Sequence, residues 1–350
     1  MKKKVIRVLV VDDSVLVQKL LMKILNEDPE LTVVGVARNG KIAVDMTREL
    51  KPDVVTMDIR MPVMDGFQAT RIIMTENPTP ILVVSSSIRD RDLQISFNAI
   101  QAGALDIMEK PKGSLSRDYY TVSEDLVRKI KLISEIRVFK HLPLKYQTVP
   151  ARYEKKLEKT RTMAVAIGAS TGGPSALFQL ITSMERDFPA PIFVTQHISE
   201  GFGRGCVEWI NRNSDMPVHT ARDREPIEPG VAYFAPDDRI MTINSGKSIS
   251  VDSVEMDRRA SPIDRMMESF ADAYGRNGIG VLLTGMGDDG ARGMKKIRDV
   301  GGRTIAQDEE TSVVFGMPKA AIELEAAREV LPLGEIGERI ISFLSGDSKK

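Results

Sequence analysis

The chain has 350 residues, 42% of them apolar and 28% charged. That is enough for two ordinary domains with real cores, and it excludes a disordered or fibrous protein. A single cysteine excludes a disulfide framework and suits a reducing compartment. The net charge is zero but unevenly spread: residues 137–162 carry an excess of six basic residues, and residues 163–350 a net charge of −7, which speaks against an output domain built to grip phosphate backbones.

The basic start and short apolar run of MKKKVIRVLVVDD break at Asp12-Asp13, so no targeting segment is read there. No stretch approaches the roughly 20 apolar residues of a bilayer span, and the expected location is the cytoplasm without membrane insertion. Strand-like runs follow at residues 5–11, 32–37, 54–57, 81–84 and 105–108. Helical patterns separate them; Leu16, Val17, Leu20, Leu21, Ile24 and Leu25 recur at three- and four-residue spacing. Five strands alternating with helices predict a parallel, doubly wound, flavodoxin-like sheet over residues 1–136, with ligands at the strands' carboxyl ends.

Those ends carry chemistry. Asp12 and Asp13 follow the first strand, Asp58 the third, Ser85 the fourth and Lys110-Pro111 the fifth. Three carboxylates converging on one sheet edge repel one another and call for a cation, and hard oxygen ligands suit Mg²⁺. A lysine and a hydroxyl on the same edge suit a phosphoryl oxygen. The pattern resembles a response-regulator receiver domain across residues 1–125. The resemblance implies that Asp58 accepts phosphate from a histidine kinase. It further implies that Asp12, Asp13, Asp58 and the Arg60 carbonyl hold Mg²⁺, and that Ser85 and Lys110 sense the phosphoryl group. The aromatic switch residue frequent in that family, three before the lysine, is here Ile107.

Residues 137–162 contain two prolines and little apolar periodicity, and read as a tether whose segment 153–159 suits a helix. His141 falls within it, away from any catalytic strand end.

From residue 163 a second α/β unit is expected, running to residue 350. In MAVAIGASTGGP, residues 163–174, a buried strand meets Ser170 on a turn, and a glycine-rich run leads into a helix. Gly168 to Gly172 satisfies G-x-S-x-G, the layout of a nucleophile elbow, whose helix start offers N–H groups to an oxyanion. A glycine-rich phosphate turn is the alternative on these residues alone. A strand at 192–195 leads into Gln196-His197. Short strands at 217–221, 231–235, 241–243 and 248–251 suggest a mixed, antiparallel extension. A helix is predicted over 262–274, with Ile263, Met266, Met267 and Phe270 apolar, then a strand at 280–284 entering Gly285-Met286-Gly287-Asp288-Asp289-Gly290. A strand at 303–306, a helix led by Pro318 and a terminal helix complete the unit.

Ser170, His197 and Asp289 each follow a separate parallel-type strand, and such residues meet where doubly wound sheets bind ligands. Serine needs a base, imidazole titrates near neutrality, and a carboxylate fixes its tautomer. Of the three histidines, His219 sits inside a short strand, leaving His197 as the best base. Spacing alone does not choose between Asp288 and Asp289. The order Ser…His…Asp differs from that of α/β-hydrolases, so that fold is not expected. Nothing around Cys206 predicts a low pKa.

The segments GASTGGP, the Gln196-His197 pair, GVAYFAP, LLTGMGDDGA and AQDEETSVVFGMPKAA look like the catalytic domain of the bacterial chemotaxis protein-glutamate methylesterase. The resemblance implies hydrolysis of glutamate γ-methyl esters on methyl-accepting chemoreceptors with release of methanol, and deamidation of receptor glutamines. It implies Ser170 as nucleophile, His197 as base and Asp289 as the third member, with Thr171 lining the site and the backbone near Met286 holding the oxyanion. No metal is expected in the ester chemistry, Mg²⁺ being confined to the receiver. The receiver is expected to cover the site until Asp58 is phosphorylated, and the chain is expected to be monomeric. Two segments depart from the family's usual pattern: Ile198-Ser199-Glu200-Gly201-Phe202, and Ala235-Pro236-Asp237-Asp238-Arg239-Ile240, which lacks a histidine. The rivals are a receiver-controlled transcription factor, which would need a basic recognition helix, and a dinucleotide oxidoreductase, which would need the full G-x-G-x-x-G spacing.

Overall fold

A computed structural model of the chain describes residues 4–85, 90–112, 116, 119–136, 138, 163–199, 201–237, 239–245, 248–253 and 261–346. The chain divides into two compact units, Met1–Gln147 and Thr148–Lys350. Apart from residue 138, the tether expected at 137–162, with its helical segment and His141, lies outside the described residues, as do Glu200 and Asp238.

In the first unit, strands β1 (Ile6–Val11), β2 (Leu31–Ala37), β3 (Val54–Met57), β4 (Ile81–Ser85) and β5 (Asp106–Glu109) alternate with helices α1 (Val15–Asn26), α2 (Gly40–Leu50), α3 (Gly66–Glu76), α4 (Asp90–Gln101) and α5 (Tyr119–Ser134). The sheet order is β2-β1-β3-β4-β5 and every pairing is parallel. Every residue of β3 and β4 is buried, which is why both read as mainly apolar runs rather than alternating ones. Ser14, Asn39 and Asp65 cap the first three helices, each side chain accepting an N–H three residues on. Leu21, Ile24 and Leu25 bury the inner face of α1, whereas Leu16 is 78% exposed, one turn short of the core.

The second unit is built from β6 (Ala164–Ala169), α6 (Gly173–Thr182), β7 (Ile192–Gln196), α7 (Gly203–Asn213), β8 (Val218–Thr220), β9 (Ala232–Phe234), β10 (Arg239–Ile243), β11 (Ile249–Ser253), α8 (Pro262–Tyr274), β12 (Gly278–Leu282), α9 (Ala291–Asp299), β13 (Arg303–Gln307), α10 (Met317–Glu323), β14 (Glu329–Leu331) and α11 (Leu333–Leu344). Seven strands form one sheet in the order β14-β13-β12-β6-β7-β9-β8, parallel at every pairing.

Among the described residues the antiparallel extension is smaller than expected, being β10 paired with β11 and one bridge between Pro226 and Ser248. The strands expected at 217–221 and 231–235 join the parallel sheet instead. All three residues of β9 are buried, with Tyr233 stacked on Phe193; this is the signature of a central parallel strand, compressed into too few residues to show a period. The strand expected at 280–284 ends at Leu282, because Thr284 N–H leaves the ladder for Gln307 Oε1, 2.8 Å away. On α8, Ile263, Met266, Met267 and Phe270 are fully buried, so the apolar spacing that predicted the helix is the face it packs with.

Candidate active site

The site follows from strand register. Ala169 at the end of β6 pairs with Gln196 at the end of β7, and Gly168 pairs with Leu282 at the end of β12. Ser170 and His197 therefore leave neighbouring strands side by side, and the loop carrying Asp289 leaves the strand on the other flank. Strand β6 lies where the winding order reverses, the place at which open parallel sheets form a ligand crevice.

Ser170 is held by its own backbone. Its N–H donates to Thr284 O at 3.0 Å, and its carbonyl accepts Gly173 N–H at 2.8 Å, closing the turn into α6. The layout matches a nucleophile elbow, but the left-handed conformation belongs to Gly172 (φ 78°), which begins α6, and not to the serine. Gly285 crosses close by; a Cβ there would lie 2.7 Å from Ser170 Cβ, so a side chain at that position would displace the serine.

His197 N–H donates to Ala169 O at 3.0 Å. Its Nε2 lies 2.8 Å from Asp289 Oδ2, and the imidazole is one-third exposed. Asp289, rather than the exposed Asp288, makes this contact. The same carboxylate accepts the first free amides of α8, Ile263 N–H at Oδ2 (3.1 Å) and Asp264 N–H at Oδ1 (2.9 Å). A helix N-terminus favours an anion there, and these bonds leave the carboxylate one orientation toward the imidazole. Thr171 is buried and Met286 half-buried beside the turn. Among the described residues, neither backbone N–H has a protein acceptor.

Three further side chains brace this edge. Gln196 Nε2 donates to both Ser170 O (2.8 Å) and His197 O (2.7 Å), tying the two strand ends together. Thr284 Oγ1 donates to Thr171 O at 2.9 Å and accepts Val314 N–H at 2.9 Å, while buried Gln307 reaches from Thr284 N–H to Thr311 O. All three stand inside motif segments singled out in the sequence, but their roles depend on cross-strand neighbours that spacing does not reveal. A cavity of about 230 Å³ opens beside the imidazole, lined by Gln196, His197, Cys206, Phe234, Arg239 and Pro262 among others. Cys206 is buried in its wall; desolvation, and then the charge of Asp237, push its thiol pKa up. Asp237 accepts Gly201 N–H and Gly203 N–H, fixing the segment that follows His197. His219 is engaged elsewhere, 2.8 Å from Glu225.

The second site lies on the first unit. Val11 pairs with Met57, so Asp12 and Asp58 follow adjacent strands. Oxygens of Asp12, Asp13 and Asp58 lie within 4.8 Å of one another. Lys110 Nζ sits 2.7 Å from Asp12 Oδ2 and 2.9 Å from Asp58 Oδ2, and the Lys110 backbone N–H donates to Ser85 O. Burial pushes the Asp58 carboxyl up to about 6, against the pull of the Lys110 charge and with a further push from Asp12. The Lys110 ammonium is itself held above its usual value despite burial, chiefly by the charge of Asp58. Arg60 lies exposed in the loop after β3, and Ile107 is buried within β5.

A sheet edge of three carboxylates and a lysine in one unit and a serine turn beside a His–Asp pair in the other have the layout of a receiver-bearing hydrolase. Comparison with known proteins makes this specific. The CheB methylesterase family model matches residues 165–340, and the response regulator receiver domain model matches residues 8–116. The chain is 41% identical to protein-glutamate methylesterase/protein-glutamine glutaminase 4 of Myxococcus xanthus, over 99% of each chain. It is 43% identical to protein-glutamate methylesterase/protein-glutamine glutaminase 1 of Syntrophus aciditrophicus, over 97% of this chain and 99% of that one. The crystal structure of the Thermotoga maritima CheB methylesterase catalytic domain aligns with a TM-score of 0.50 at 39% identity, covering 52% of this chain and 98% of that one. The chain belongs to the CheB methylesterase family and carries a response regulator receiver domain.

Proposed function

We propose that this chain is a phosphorylation-controlled serine hydrolase that removes methyl groups from glutamate γ-methyl esters of chemoreceptors, releasing methanol, and that deamidates receptor glutamines at the same site. The observation that carries the reading is the His197–Asp289 pair, 2.8 Å apart, one strand from Ser170. His197 Nε2–H donates to Asp289, leaving Nδ1 as the free base. Nδ1 takes the Ser170 proton as Oγ bonds to the ester carbonyl carbon. The resulting oxyanion faces the unengaged Thr171 and Met286 amides. As the carbon–methoxy bond breaks, the imidazolium returns the proton to the departing oxygen and methanol leaves. Water then attacks the acyl group, giving its proton to Nδ1; the carbon–Oγ bond breaks and Ser170 recovers a proton, leaving glutamate. With a glutamine substrate the leaving group is ammonia.

The receiver supplies control: Asp58 accepts a phosphoryl group from a chemotaxis histidine kinase, while Lys110 and Ser85 contact it. A divalent cation fits Asp12, Asp13 and Asp58, three hard-oxygen ligands faced by a single ammonium. When bound, Mg²⁺ offsets the negative charge gathered there. The test is methanol release from receptor-containing membranes, methylated and unmethylated, with and without a small phosphodonor and Mg²⁺. Release confined to methylated receptors and raised by the phosphodonor is expected; no release in any arm refutes the reading.

A further inference from the structure

Asp264 is a carboxylate with 2% exposure on the third residue of α8, and the ester chemistry does not use it directly. Its Oδ1 accepts Gly290 N–H at 3.0 Å and Gly293 N–H at 2.8 Å, the amides at the start of α9, and its Oδ2 accepts Arg292 Nε–H at 2.9 Å. Asp289, just before α9, caps the start of α8 in return. Each helix N-terminus is thus closed by a carboxylate from the other. Neither makes its own cap: Ser261 and Gly290, the residues at the two cap positions, form no side-chain capping bond. Asp289 is exposed to displacement because its loop holds three glycines, Gly285, Gly287 and Gly290, the last two with φ of 86° and 93°. A loop of that composition does not hold a carboxylate by itself.

We propose that Asp264 is a positioning residue for hydrolysis: by tying Gly290 and Gly293 to α8 it sets where Asp289 meets His197. The inference rests on the esterase reading, and the two fail separately, because the parent chain must release methanol before any variant is compared. In full-length Asp264→Ala both amides lose their acceptor. Asp264→Asn, with its amide oxygen toward Gly290 and Gly293, keeps the acceptor for both and gives up the charge and the hydrogen bond accepted from the largely exposed Arg292. Methanol release from methylated receptor membranes gives kcat and KM, and the downfield proton resonance of the His197–Asp289 hydrogen bond, identified by its absence in His197→Gln, reports the geometry. For Asp264→Ala the expected loss in kcat is about 100-fold with little change in KM, since a displacement near 1 Å at a reacting group costs about that much, and the resonance disappears. Asp264→Asn retains the resonance and stays within about fivefold of the parent, a loss smaller than one tenfold step. Parental kcat in Asp264→Ala overturns the proposal. So does a loss of kcat with the resonance unmoved, or an equal loss in Asp264→Asn. If Asp264→Ala does not fold, Asp264→Ser replaces it, since its shorter side chain reaches at most one of the two amides, and the same outcomes apply.

Discussion

Replacing Asp58 by asparagine should stabilise the receiver at neutral pH, and the structure gives the size of the effect. Asp58 is about 5% exposed and faces Asp12, and its carboxyl stands at about 6 against an ordinary value of 3.8. Above pH 6 it is ionised in both folded and unfolded chains, so the whole cost of burying the charge falls on the folded state. Below about 3 it is protonated in both, and the cost vanishes. In between, the folded chain holds a proton that the unfolded chain has lost, so stability falls as pH rises. Two units at about 1.4 kcal/mol each amount to about 3 kcal/mol. Asp58→Asn removes that cost, raising the receiver's melting temperature by roughly 10 °C at pH 7.5 in chelator, and by no more than about 2 °C near pH 4. Calorimetry on the whole chain measures it. The only tryptophan, Trp209, lies in the second unit, so a transition silent in its fluorescence belongs to the receiver. In the parent, Mg²⁺ should recover much of the same gain by neutralising the cluster. A gain equal at pH 4 and 7.5, or none at 7.5, would show that the buried Asp58 charge does not cost the fold this stability.

Three other outcomes are expected. Asp289→Asn should fold, since one acceptor for the α8 amides survives, while kcat for methanol release falls by about 10³–10⁴-fold as the imidazole loses its anionic partner; parental kcat would remove Asp289 from the mechanism. Val63, 80% exposed with φ 71°, is a β-branched residue in the left-handed region. Val63→Asn should therefore raise receiver stability by about 1 kcal/mol, read as an upward shift in the same calorimetric transition. Cys206, buried with its thiol pKa raised, should resist a thiol-specific reagent at pH 8 in the folded chain and react fully once unfolded, with esterase activity unaffected by the attempted labelling.

Much of both sheets was legible because buried parallel strands announce themselves as short apolar runs, and because the chemistry sits one residue past each run. Asp12, Asp58, Ser170 and His197 all follow that rule. Loop geometry obeys no such periodicity. The choice between Asp288 and Asp289 depends on which carboxylate meets the first amides of α8, a segment some 25 residues earlier in the chain. Gln196 and Thr284 brace the serine turn through contacts across strands, and Asp264 looks in sequence like any acidic residue in a helix's first turn. Strands β8, β9 and β14 have three residues each, too few for alternation to separate parallel from antiparallel, and β14 went unpredicted because it is a partly exposed edge. Leu16 matched a helical apolar spacing yet faces solvent, since periodicity marks a stripe but not where the core beneath it ends.

The proposed hydrolysis depends on attack by Ser170. The most direct measurement is methanol release from methylated receptor membranes by the full chain and by Ser170→Ala, both with phosphodonor and Mg²⁺, after matching their thermal unfolding. The parent should release methanol and the variant lose at least about 10³-fold, since removing a nucleophile leaves only binding and oxyanion stabilisation. A folded Ser170→Ala that releases methanol at the parental rate would contradict attack by Ser170.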